Sequence, residues 1–147
     1  MSWVKIWVHL VFSTKNSEHF LNSIEIRTTL FEHIKKNASD KGIWLDSVSG
    51  YQEHCHCLIS LSKDQTISQV AKLIKGESSF WINHSNLIKN KFFWQDDYWA
   101  VSVSESHVNS VREYIKHQDE HHRKVTFTQE VAEFMSKYRW ELISDGK

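Results

Sequence analysis

Apolar residues alternate with other types over 3–12. Val4, Ile6, Val8, Leu10 and Phe12 fall on one face, and Lys5, Trp7 and His9 on the other. A period of two is that of a strand with one buried face. The period then lengthens. Asn22 and Glu25 have capping-box spacing ahead of Ile26, Leu30, Phe31 and Ile34, a helical stripe closed by Gly42. Residues 43–49 (IWLDSVS) and 54–61 (HCHCLISL) return to strand character, with Gly50 between them. Thr66 and Gln69 repeat the capping-box spacing before a second helix marked by Ile67, Val70, Ala71, Ile74 and Trp81, with Gly76 inside it. A polar loop over 83–97 carries Phe92, Phe93 and Trp94 in a row, and 98–103 (YWAVSV) reads as a fourth strand. Ser106 can cap a helix running to about His122, with Val108, Val111 and Ile115 on its apolar side. A short last helix is expected at about 129–139, from Val131, Phe134, Met135 and Tyr138.

The order β-α-β-β-α-β-α-α predicts an α+β fold, a ferredoxin-like (RRM-like) antiparallel sheet with additional C-terminal helices. Nothing reads as a linker or a repeat. The 147 residues are therefore expected to form a single domain, with a core over about 3–122 and a helical extension over about 125–147. Eighteen basic residues balance eighteen acidic ones, and 40% of the chain is hydrophobic, enough to bury a core. Such neutrality argues against a protein that coats nucleic acid by charge alone. No apolar run is long enough for a membrane span. The opening 3–12 segment is interrupted by Lys5 and His9 and lacks a small-residue cleavage site, so no signal peptide is expected.

Cysteines and glycines narrow the chemistry. Cys55 and Cys57 would be same-face strand neighbours about 6.5 Å apart, awkward for a disulfide. They read as free thiols in a reducing cytoplasm. The four glycines form neither GxG nor GxxxxGK, which excludes Walker A and Rossmann phosphate loops. Proline is absent, yet there are seven tryptophans and ten histidines. Imidazoles and aromatic faces are where the chemistry is to be sought.

Two constellations stand out. In His54-Cys55-His56-Cys57, strand alternation sends the cysteines to one face and both imidazoles to the other. A zinc site using all four is thereby disfavoured. The two imidazoles at i, i+2 are either half of a divalent metal's coordination sphere or a pair of solvent-exposed polar residues. Tyr114, Gln118 and His121 follow at i, i+4, i+7 on one helical stripe, beside the apolar side of the helix.

Taken together, these motifs resemble the HUH superfamily of single-strand DNA nucleases. Within it they are similar to the single-tyrosine transposases of the insertion sequence 200/605 type and their REP-associated relatives. The resemblance runs over roughly 4–122, through WVHLVFSTK, EHCHCLISL at 53–61, LIKGESS at 73–79, FWQDDYWAVSVS at 93–104 and YIKHQDEHHRK at 114–124. It implies Tyr114 as the nucleophile and His54, His56 and Gln118 as ligands of Mg²⁺ or Mn²⁺. It further implies cleavage and rejoining of single-stranded DNA at hairpin ends through a 5′-phosphotyrosine, by a homodimer whose tyrosine helices complete sites made by the partner's His pair. The middle residue of HUH, commonly a bulky aliphatic in the family, is Cys55 here. Candidates for taking the tyrosine proton are His121, His117 and His122, all near a helix C-terminus.

DNA contacts must be local on a neutral chain. Residues 63–91 carry Lys63, Lys72, Lys75, Lys89 and Lys91 against Asp64 and Glu77. Lys72 and Lys75, with Ser78 and Ser79, could meet phosphate, or they form an ordinary solvated helix face. Trp94, Tyr98 and Trp99 could stack on bases or belong to the core, and Arg123 and Lys124 are a second candidate phosphate contact. Two other functions fit the same residues: a domesticated REP-type palindrome nickase, and a catalytically silent nucleic-acid-binding module.

Overall fold

A computed structural model describes residues 1–138. The end of the last expected helix and the rest of the extension, 139–147, lie outside the described residues. Four strands, β1 (Ile6–Ser13), β2 (Trp44–Gly50), β3 (His54–Leu61) and β4 (Trp99–Val103), form one sheet in the order β2-β3-β1-β4. All three pairings are antiparallel. Helices α1 (Ile24–Asp40) and α2 (Ile67–His84) are the crossovers, so the α+β ferredoxin-like arrangement read from the element order is the observed one.

One sheet face carries the main core. Leu10 and Phe12 of β1 and Cys55, Cys57 and Ile59 of β3 pack against Leu30, Phe31 and Ile34 of α1 and Val70, Ala71, Ile74 and Ile82 of α2. The loop after α2 contributes too. Trp94 stands edge-on to Phe12 at 4.6 Å and to Phe92 at 4.7 Å, while Phe93 between them is exposed. Each such buried side chain is worth about 1.5–3 kcal/mol, so this loop is an integral part of the core.

The second face is covered as well, and here the expectation of a half-buried β1 is corrected. Trp7, His9 and Val11 are as buried as their neighbours. Three further helices, α3 (Val108–Lys116), α4 (Gln118–His122) and α5 (Phe127–Tyr138), follow β4. Trp7 and Leu58 form a second apolar cluster with Val108 and Ile115 of α3. Arg112 of α3 grips Asp46 of β2 through Nε and Nη2, both at 2.8 Å, which ties the helix across the sheet.

Thr66 and Gln69 form the expected reciprocal cap of α2, but α1 is capped by Ser23, whose hydroxyl accepts from the Ile26 N–H at 3.0 Å. Asn22 stands one residue too early for that bond. Gly42, at φ +74°, closes α1 in the left-handed region. Gly50 serves differently: a Cβ there would lie 2.1 Å from the His54 carbonyl oxygen, so only glycine lets β2 approach the start of β3. Ser106 does not cap the helix after β4. A 3-10 turn at Glu105–His107 intervenes, and the Ser106 hydroxyl contacts the His107 ring instead. Nor is that helix continuous to His122, since it breaks at His117 (φ −103°, ψ 30°) into α3 and α4.

Candidate active site

Alternation along β3 separates two environments. Cys55 and Cys57 enter the main core as free thiols, their sulfurs 3.9 Å apart, and burial pushes the Cys55 thiol up. His54 and His56 point to the other face, fully buried. Each ring is fixed by a partner on Nδ1. His54 Nδ1 lies 2.7 Å from Glu53 Oε1, and His56 Nδ1 lies 2.8 Å from His9 Nε2 on β1. The two Nε2 atoms are thereby aimed into the space beneath α4 and α5.

Gln118 is placed by the helix break. Its side-chain Nε2 donates to the Tyr114 carbonyl at 3.2 Å, which leaves Oε1 facing His54 Nε2 at 3.1 Å. The buried Arg27 of α1 holds α4 in position, donating to the Leu21 carbonyl at 2.8 Å and to Asp119 at 3.0 Å. Tyr114, on the last turn of α3, brings its hydroxyl to 3.3 Å from His121 Nε2 and donates it to Glu130.

Glu130 comes from α5 and is fully buried. Its Oε1 lies 3.0 Å from His56 Nε2 and 3.6 Å from His54 Nε2, while Oε2 lies 3.0 Å from His121 Nε2 and 3.2 Å from His122 Nε2. His54, His56, His122 and Glu130 offer ligand atoms all within 4.8 Å of one another.

Burial sets the electrostatics. It holds His9, beside His56, at about 3, and holds His56 at about 4 although the Glu130 carboxylate pulls the other way. Burial opposes ionisation of Glu130, but hydrogen bonds from His122 and His56 outweigh it and keep the carboxyl well below the usual range. Burial and the Glu130 carboxylate push the Tyr114 phenol far above its ordinary value. Burial also works against the Glu53 carboxylate, and the His54 contact more than offsets it.

The Glu53 carboxylate claims the His54 Nδ1 proton, so Nε2 presents a lone pair to Gln118 Oε1 and Glu130 Oε1, which are acceptors themselves. Lone pairs from nitrogen and oxygen thus converge, and such a set requires positive charge among them, a proton or a cation.

A family model described as transposase IS200 like matches residues 2–118. The chain belongs to that family. Among solved structures, a candidate transposase from Deinococcus radiodurans is similar at 22% identity and a TM-score of 0.62, over 80% of this chain and 93% of that one. A REP-associated tyrosine transposase bound to a REP hairpin is similar at 19% identity and a TM-score of 0.61, over 90% of this chain and 83% of that one. At these identities the likeness concerns the fold. No curated protein matches the sequence.

In this IS200-like transposase, His54, His56, Gln118 and Tyr114 come together within one chain. The short turn between β4 and α3 folds the tyrosine helix back onto its own sheet, and the Tyr114 ring lies 5.6 Å from that of His56. Of the other histidines weighed, His121 and His122 reach the site, whereas His117 is exposed and hydrogen-bonded to the Glu113 carbonyl. Two of the proposed DNA contacts are corrected. Ser78 is fully buried, donating to the Ile74 carbonyl at 2.6 Å and accepting from Trp94 Nε1 at 2.9 Å, and the Trp94 ring is core. Lys75 is committed to the Asp96 carbonyl at 2.7 Å, Ser79 donates to Gly76, and Lys72, Arg123 and Lys124 are exposed. Tyr98 and Trp99 are half-buried, Trp99 edge-on to Phe127 at 5.9 Å. Glu53, His9 and Glu130 are site residues that the sequence reading missed. Adjacency to His54 marks Glu53, and the period of two marks His9; no sequence signal marks Glu130.

Proposed function

We propose that this transposase is a metal-dependent enzyme that cleaves and rejoins single-stranded DNA, with Tyr114 as nucleophile. The observation that carries the reading is the convergence of His54 Nε2, His56 Nε2 and Gln118 Oε1 beside the Tyr114 hydroxyl, although His54 and Gln118 lie 64 residues apart. The donor set fits a divalent cation, because His54 Nε2 and Gln118 Oε1 meet as lone pairs and His56 Nε2 adds a third once its Nδ1 donates to His9. Two neutral imidazoles and a neutral amide would hold Mg²⁺ or Mn²⁺, and nitrogen donors favour Mn²⁺ of the two. Such an ion, when bound, supplies Lewis-acid polarisation of a non-bridging phosphate oxygen.

The chain's own residues supply the rest. The Tyr114 oxygen attacks phosphorus, the bond to O3′ breaks, and the products are a 5′-phosphotyrosine and a free 3′-hydroxyl. The phenolic proton leaves through the groups that hold it, His121 and Glu130, and the departing O3′ takes up a proton from water. The covalent link conserves the bond energy, so a 3′-hydroxyl can reverse the step without a nucleotide cofactor. A single tyrosine per site makes a homodimer the natural assembly for exchange between two strands.

Likeness to a REP-associated enzyme holding a hairpin supports hairpin ends as the substrate and, as a second reading, a domesticated palindrome nickase with the same chemistry. Among the described residues no helix is long and apolar enough to cross a membrane, and we place the enzyme in the cytoplasm. Incubation with labelled single-stranded hairpin DNA and Mn²⁺, followed by a denaturing gel, tests the proposal. A covalent adduct is expected from the wild type and none from Tyr114→Phe. An adduct that survives Tyr114→Phe, or none across a broad hairpin library, refutes it.

A further inference from the structure

The family match ends at residue 118, yet α5, beyond that limit, delivers a fully buried carboxylate to the centre of the site. We propose that Glu130 is itself a metal ligand and that it holds the Tyr114 hydroxyl beside the metal, so that α5 completes the active site within the chain. This inference rests on the metal-dependent reading above.

The seat of α5 is dictated by the site. Of the residues of α5, only Phe127 and Glu130 are buried. Phe127 stacks on the His54 ring at 4.2 Å and 13°, and Phe134 stands against the rings of His9 and Tyr114, each at 5.9 Å. Thr126 and Gln129 cap the helix reciprocally, with N–H···O distances of 2.8 and 3.1 Å, which fixes the first turn. Glu130 follows at once, on the same buried side as Phe127. A surface helix that turns a carboxylate inward must find compensating charge there, because a buried carboxylate is otherwise strongly disfavoured.

The two carboxylate oxygens have different surroundings. Oε1 faces His56 Nε2 and His54 Nε2, the atoms proposed to bind metal. Glu53 engages His54 Nδ1, so Oε1 meets a lone pair at His54 Nε2, and it meets a second at His56 Nε2 in the tautomer whose Nδ1 proton is given to His9. A cation among these three atoms resolves the conflict. Oε2 accepts the Tyr114 hydroxyl and lies beside His121 and His122. One carboxylate therefore spans the nucleophile and the ligand cluster. With Glu130 added, imidazole and carboxylate donors predominate, a set that ranks Mn²⁺, Co²⁺ and Zn²⁺ above Mg²⁺.

The test uses the full chain as wild type, Glu130→Gln and His56→Ala. Mn²⁺ affinity is measured by competition with a chromophoric chelator, the ligand field by the visible spectrum with Co²⁺, and folding by circular dichroism. Glu130→Gln is expected to stay folded, to shift the Co²⁺ bands, and to bind Mn²⁺ at least about tenfold more weakly, the least that losing even an outer-shell partner costs. If Glu130→Gln binds Mn²⁺ as tightly as the wild type while His56→Ala does not, the inference falls and the metal centre stands. If the wild type itself binds no metal, both fall. Unchanged affinity in Glu130→Gln with increased DNA cleavage would also overturn the inference, since the carboxylate would then be an obstacle to Tyr114 rather than a part of its site.

Discussion

Replacing His9 by alanine probes the least obvious contact in the site. His9 is 3% exposed, and its Nε2 lies 2.8 Å from His56 Nδ1. For His56 Nε2 to carry a lone pair, Nδ1 must hold the proton and donate it to His9. Truncation to alanine leaves that buried donor without its acceptor, at about 1–3 kcal/mol, and the ring's lost packing against Tyr114 and Phe134 adds to it. The functional cost is separate. Once His56 can rotate or change tautomer, metal affinity is expected to fall by about 10–100-fold, which is about 1.4–2.7 kcal/mol. His9→Gln restores a carbonyl acceptor near the lost Nε2 and should recover most of the affinity. Chelator competition gives the binding constants, and melting curves with and without Mn²⁺ give the linked stabilisation, which shrinks as affinity falls. A His9→Ala protein that is destabilised but binds Mn²⁺ like the wild type would refute the orienting role and reduce His9 to packing.

Two further perturbations test the framework. Ser78→Ala removes the acceptor of the Trp94 indole N–H and should cost about 1–3 kcal/mol in chemical denaturation, while hairpin DNA binding by the folded protein stays unchanged; a selective loss of DNA affinity would return Ser78 to the interface. Asp46→Ala frees α3 from β2 and should cost no more than about 1 kcal/mol, because the Arg112 partner is solvent-exposed. The Arg112 contact holds the Asp46 carboxyl below its ordinary value, so the unfolded chain takes up the proton first as pH falls. The advantage of the wild type over Asp46→Ala should therefore be full above about pH 4 and be lost progressively as the pH falls below it through the lowered native value; a difference that persists undiminished into strong acid would exclude the ion pair as its source.

What could be read from sequence follows from how each feature is encoded. The sheet and the two crossover helices are written in local periods, and His54 and His56 fall on the face that alternation assigns them. The partition of the aromatic row is not local. Phe92 and Trp94 enter the core and Phe93 does not, because the segment runs extended beside β1, bridging to Thr14. The break at His117 was equally hidden, since the residues around it are ordinary helix formers. It matters because the Gln118 amide donates to the Tyr114 carbonyl there, and only that bond orients Oε1 toward His54. The spacing of Val131, Phe134, Met135 and Tyr138 marks α5 as a helix, yet its two buried residues are Phe127 and Glu130. An inward carboxylate looks polar in any hydrophobic pattern, so pattern reading turned the helix by its surface.

The same blindness affects charge counting. Eighteen positive and eighteen negative side chains balance with every histidine taken as neutral. Four of the ten histidines, His9, His54, His56 and His122, are buried around one site together with the carboxylates of Glu53 and Glu130. With neutral imidazoles that interior is negative, and on the proposed reading a divalent ion offsets it. Much of the excess of histidine is thus accounted for, whereas that of tryptophan divides. Trp7 and Trp94 are buried, but Trp3 and Trp44 are largely exposed. The histidine count belongs to the interior, so affinity for a DNA strand must come from the surface. Lys72, Arg123 and Lys124 are exposed cations there. Because basic residues over the chain are matched by as many acidic ones, binding should weaken with salt less steeply than that of a basic protein of this size.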